Sequence, residues 1–169
     1  TLHNIMVNDN GFDLYFQSIT KPIGNTIYQF VINGIKTCDQ LEVEEQIIDF
    51  GLSAQALINE IIINEILFNP FSGASDFVEI MNTSAHFIDL KNWRIIKSDG
   101  FETIEETLLS EDHLIIAPGK LLAFSPAPDE LPMLYPISTN YNNLKHLSGL
   151  PNFSNDRGTI MIRNNQLIT

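Results

Sequence analysis

Cysteine is almost missing from this chain: Cys38 stands alone among 169 residues, which rules out an internal disulfide, a CxxC redox pair and a cysteine-built zinc site. Basic residues are also scarce. Nine Lys and Arg face 21 Asp and Glu, for a formal net charge of -12, so a phosphate backbone is repelled and nucleic acid is not an expected partner. No apolar run approaches the ~20 residues a membrane-spanning helix needs. The four histidines, His3, His86, His113 and His146, fall into no HxH or HExxH spacing, and no Gly-x-Ser-x-Gly elbow accompanies them. Their expected role is surface or hydrogen-bonded structural histidine. Repeats, low-complexity tracts and long amphipathic helices are missing too. The chain opens on Thr with no charged start leading into an apolar export segment, and it reads as a piece of a longer polypeptide.

What is present is strand chemistry. Residues 3–8, 13–19, 26–33 and 43–50 are short runs of aromatic and β-branched residues, separated by Asp9-Asn10-Gly11, Lys21 to Asn25 and Asn33-Gly34, which carry turn chemistry. Four strands fall short of the roughly seven of a complete sandwich. Residues 1–52 are therefore expected to be the later part of a β domain. The small and polar stretch 53–58 reads as a linker. Beyond it, strands are expected near 59–68, 76–82, 86–90, 93–97, 113–116 and 120–125, with one short helix from Glu102 to Leu109. A Pro-, Asn- and Ser-rich segment follows from 126 to 157, and a hairpin over 158–168 turns at Asn164-Asn165, since Asn tolerates positive φ. The class is all-β.

Five places in order carry a resemblance. They are Ile63-Asn64-Glu65-Ile66, then Asp76 to Ile80 closed by Asn82, then Ile88 to Trp93, then Ala117-Pro118-Gly119 before Leu121 to Phe124, and last the Leu150-Pro151 to Ile162 segment. Together they resemble the lamin-tail domain, an immunoglobulin-like antiparallel β-sandwich, over residues 59–169. Residues 1–52 resemble, in Tyr28 to Ile35, the immunoglobulin-like repeats of bacterial surface proteins, although Thr37 to Leu41 lacks their Gly-Asn. In such a fold Trp93 fills the space between sheets. Pro118 fixes φ in a tight turn whose left-handed position Gly119 occupies. The stretch from about 126 to 150 departs from the family as a long insertion, where an individual activity can reside.

Four sets of residues are candidates for function. Glu65, Asp76 and Glu79, with Asn64 and Asn82 nearby, are read first as groups that accept hydrogen bonds and pin strand ends; the alternative is a Ca²⁺ site, because clustered carboxylate and carboxamide oxygens suit a hard cation. Strict alternation along the first strand puts Glu65 on the face of Ile61, Ile63 and Leu67, so one carboxylate is expected among apolar side chains. The acidic stretch Asp99 to Glu106 reads as solvated surface. The histidines form the third set. Tyr135, Tyr141, Asn142 and Asn143 on the insertion are placed to stack on and hydrogen-bond to a protein or carbohydrate partner. Asn82-Thr83-Ser84 and Asn152-Phe153-Ser154 fit the glycosylation triplet.

The resemblance implies a non-catalytic structural or interaction module of a secreted or cell-surface, multidomain bacterial protein, with no cofactor. Other readings remain beside it. One is an accessory binding module of an extracellular hydrolase or nuclease, since such domains accompany enzymes. Another is a metal-dependent hydrolase in its own right, which needs carboxylates or histidines converging on a cleft. Nuclear lamina function is implied by the family name, but a preceding β domain points away from a tail attached to a coiled-coil rod.

Overall fold

The computed structural model describes residues 2–7, 14–18, 20–24, 26–136, 143–154 and 157–164, with side chains from Thr20 onward. The chain divides into two compact units, Thr1–Leu52 and Ser53–Thr169.

The first unit contains two antiparallel ribbons. Strand β1 (Leu2–Val7) pairs with β2 (Leu14–Ser18), and β3 (Tyr28–Ile32) pairs with β4 (Gln46–Phe50). In the second ribbon the period of two separates the faces. Tyr28, Phe30 and Ile32 lie on one face with Phe50 and Ile48 opposite the first two, and the Tyr28 and Phe50 rings stack at 5.4 Å. Gln29 bonds Asp49 and Asn33 bonds Glu45 on the other.

The second unit begins earlier than composition suggests. Ser53–Ala54 is a strand, β5, paired in parallel with β8 (Phe87–Asp89), and Ala56 is buried in the core. The stretch 53–58 is therefore not a free linker: its small residues let the backbone lie close against a neighbouring strand. The larger layer is four-stranded, in the order β13 (Leu144–His146), β12 (Leu121–Ser125), β7 (Phe77–Asn82), β6 (Ile61–Leu67). A three-stranded layer runs β10 (Thr103–Leu108), β9 (Arg94–Ser98), β14 (Thr159–Arg163). A small sheet of β11 (Ile115–Ile116), β8 and β5 completes the unit.

These elements form an immunoglobulin-like β-sandwich. Val78, Ile80, Leu122 and Phe124 from the larger layer meet Ile95 from the three-stranded one, and Ile88, Leu90, Trp93, Leu109 and Ile116 pack with them in one cluster. The ladders are antiparallel apart from β12–β13 and β5–β8.

Three local expectations change. The segment 102–109 is a strand instead of a helix: Thr103, Ile104 and Thr107 are β-branched, and β10 gains both the β9 ladder and the cross-strand Lys97 to Glu105 contact at 3.2 Å. The 126–150 stretch is not all loop. It contains the one-turn helix α1 (Leu131–Leu134) and β13, which extends the larger layer. Strand β14 pairs with β9, and the return arm of the expected 158–168 hairpin lies outside the described residues.

Candidate functional site

The β6–β7 hairpin places the acidic set. Core-facing Ile61 and Ile63 are followed by Ile66, three positions on, and this spacing fits a period-two strand only when one residue is extra. A β-bulge between Ile63 and Glu65 supplies it, with Asn64 as the inserted residue. The bulge turns Glu65 onto the outer face opposite Glu79, while Val78 and Ile80 point inward with no exposure. Strict alternation predicted a carboxylate among apolar side chains; the rephasing removes it. Asn64 Nδ2 donates to Glu79 Oε1 at 2.7 Å, so that oxygen meets an N–H where a cation would need it free. Asp76 lies elsewhere, its Oδ2 accepting the Phe153 N–H at 3.1 Å. Asp76 therefore does not join Glu65 and Glu79, and among the described residues no three His, Cys, Asp or Glu side chains converge on one point.

The bulge yields a direct prediction. Deleting Asn64 leaves Ile63, Glu65 and Ile66 in simple alternation, so the register should hold and the loss should stay near 1 kcal/mol. Inserting one alanine after Glu65 instead reverses every side chain beyond it, and a urea titration should show the unit largely unfolded.

Asn82, at the end of β7, is fully buried. Its Nδ2 donates to the carbonyls of His86 and Ile116 at 2.8 and 3.0 Å, and its Oδ1 accepts the Ser84 N–H and hydroxyl at 2.9 and 2.7 Å. All four side-chain bonding positions are used, and its burial closes the first glycosylation triplet in the folded chain. The backbone continues the knot: Asn82 N–H donates to Lys120 C=O and Gly119 N–H to Asn82 C=O. That bond fixes the Ala117–Lys120 turn, where Gly119 has φ 67° after Pro118 and the Lys120 N–H closes back on Ala117 C=O at 3.1 Å. Trp93 follows a turn with Asn92 at φ 62°, and its side chain is sealed in the core.

Two histidines find carboxylates. His113 Nδ1 lies 2.5 Å from Asp89 Oδ2, and Asp89 Oδ1 accepts the amides of Lys91 and Leu114. Partial burial pushes the Asp89 carboxyl up, but the His113 bond and the two amides outweigh it and hold the group below the usual aspartate range. His86 Nε2 is 3.3 Å from Glu60 Oε2, without the alignment of a hydrogen bond. In the acidic 99–106 stretch, the amides of Glu102 and Phe101 bond to Asp99 and lower its carboxyl. His146 is exposed, and the side chain of His3 lies outside the described residues.

The insertion places Tyr135 against a loop it was not read with. The ring stacks on Phe71 at 5.1 Å and 15°, and its hydroxyl accepts the Phe71 N–H at 3.0 Å. Asn143 is half-buried before β13, while Tyr141 and Asn142 lie outside the described residues. Phe71 was missed by sequence reasoning because the Asn-Pro-Phe-Ser-Gly loop carries only turn signals.

Residues 54–169 match the Lamin Tail Domain family. No curated protein and no solved structure gives a significant match to the chain.

Proposed function

The chain belongs to the lamin tail domain family through residues 54–169, and on that premise we propose that it is a non-catalytic structural and interaction module of a secreted or cell-surface, multidomain bacterial protein. The observation that carries this reading is how Asn64, Asp76 and Asn82 are used. Asn64 is spent on Glu79, Asp76 on the Phe153 amide, and Asn82 on four bonds of its own. A catalytic or metal-binding group needs a free lone pair or an open coordination position facing solvent, and these groups instead hold strand ends together. Work then falls to surfaces and loops. The acidic, cysteine-poor composition is compatible with an extracellular setting.

The test uses the purified full chain with esters, phosphate esters, glycosides and plasmid DNA, after EDTA and again with Ca²⁺, Mg²⁺ or Zn²⁺. No turnover is expected, and the melting temperature should move by less than about 1 °C with Ca²⁺, because a ligand stabilises only the state that binds it. Metal-dependent turnover, or a Ca²⁺-induced rise of several degrees lost in Glu79→Gln, would overturn the reading. The accessory-module alternative shares this chemistry and differs only in its neighbour; the domain content of the parent polypeptide separates the two.

A further inference from the structure

We propose that a cavity at one end of the sandwich binds a small apolar monocarboxylate, with its chain between the two layers and its carboxylate on Lys97 and Arg157; this goes beyond the module reading and does not depend on it. The cavity has a volume of about 300 Å³. Ile66 and Phe68 line it from the end of β6, Ile160 lines it from β14, and Phe153 lines it from the segment that leads into β14. Phe153 is buried in the core cluster, and Ile66 and Ile160 pack against that cluster. The space is therefore a continuation of the core that reaches the surface. An apolar chain placed there takes its own surface and that of the lining out of water together.

A lysine stands where the alternation of β9 calls for an apolar residue. Ile95 is fully buried in the core, and Lys97, two positions on, shares its face. Across the ladders Lys97 is opposite Ile160 on β14 and Glu105 on β10. Its side chain is 21% exposed, and Nζ donates to Asn152 C=O at 2.5 Å and to Glu105 Oε1 at 3.2 Å. An ammonium group has three N–H donors, so one is left for a ligand. Arg157 lines the same cavity, and among the described residues its guanidinium has no partner. Its planar fork of N–H groups matches the two oxygens of a carboxylate.

Charge and size set the class of ligand. Glu105 offsets Lys97, and the Asp76 carboxylate holds the Phe153 amide. Neither acid lines the cavity, and Asp156, next to Arg157 in sequence, lies outside the described residues. One cation among the described lining residues is thus uncompensated, and a single negative charge answers it. A phosphate monoester brings a second negative charge towards Glu105 and Asp76, and an amine meets a charge of its own sign. At roughly 30 Å³ per non-hydrogen group the cavity holds about ten such groups, the size of an acid of about eight carbons.

The experiment titrates the isotope-labelled full chain with octanoate, octanol, octylammonium and octyl phosphate and follows the amide resonances. Octanoate should shift residues 66–68, 153–154 and 157–160 with a Kd on the order of 100 μM. Octanol, which keeps the chain and lacks the charge, should bind about tenfold more weakly, and octylammonium should not bind. Arg157→Gln, at an exposed position, should weaken octanoate about fivefold or more, leave octanol unchanged and flatten the salt dependence of octanoate binding. Phe68→Ser, at a side chain 46% exposed, should weaken octanoate and octanol alike, which separates the grip on the chain from the grip on the charge. The proposal is overturned if octanoate does not saturate these shifts by about 5 mM, if octanol or octylammonium binds equally well, if octyl phosphate binds more tightly, or if Arg157→Gln binds octanoate as the parent does. N-acetyl-leucyl-phenylalanine binding more tightly than octanoate would overturn the assignment to a small acid in favour of a peptide carboxyl terminus. Turnover in the assay above would defeat the module reading and leave these binding results standing, so the two failures are distinguishable.

Discussion

Asn82→Ala is expected to cost the second unit about 3–4 kcal/mol, because a buried donor or acceptor left without its partner costs roughly 1–3 kcal/mol. Four such groups are released at once. The carbonyls of His86 and Ile116 lose their donors, and the N–H and hydroxyl of Ser84 lose their acceptor. Some of that loss is recovered, since Ser84 Oγ also reaches His86 C=O at 3.0 Å and a small cavity can admit water. Asn82→Asp keeps the shape and is the sharper test. It retains the acceptor toward Ser84 but turns an oxygen toward two carbonyls, so it should be at least as damaging as alanine at neutral pH. Trp93 is the only tryptophan, and its emission reports the unfolding of this unit in a urea titration. A loss below about 1 kcal/mol in Asn82→Ala would show that the bonds around this side chain are replaceable and that the β7 end is not the joint the geometry describes.

Trp93→Ala should be comparably severe, at about 3–5 kcal/mol, which is the usual cost of removing a large aromatic side chain from a packed core. The indole is 8% exposed and shares its cluster with Ile61, Ile95, Leu109 and Phe153, contributed by separate parts of the unit. Trp93→Phe keeps a ring and should lose less, about 1–2 kcal/mol. Far-UV circular dichroism measures both, since alanine and phenylalanine remove the tryptophan signal. Together the two positions separate kinds of stabilisation: Asn82 acts through polar satisfaction at a strand end, Trp93 through filled volume between layers.

The alternation and turn chemistry were readable because they are local. Val78 and Ile80 against Glu79, or Pro118-Gly119 ahead of Leu121, declare a strand and a tight turn from a few adjacent residues, and both stand in the structure. The ordered matches from Asn64 to Ile162 were enough to place the family. Residues 102–109 were misread because Glu, Leu and Thr at helical spacing say nothing of the β9 edge waiting to pair with them. The stretch 53–58 was misread because small polar residues look the same in a linker and in a short strand lying close to another.

From its order of residues alone the chain determined an all-β class, its main strands and turns, its family and its acidic character, since each of these depends on neighbours a few positions apart or on simple sums. Tertiary structure alone decided the partners of the polar groups. The bulge that turns Glu65 outward, the four bonds that spend Asn82, the pairing of Asp89 with His113 and the meeting of Phe71 with Tyr135 all depend on contacts between distant segments. A side chain's chemistry is settled by what stands opposite it, and that is fixed only once the layers have closed.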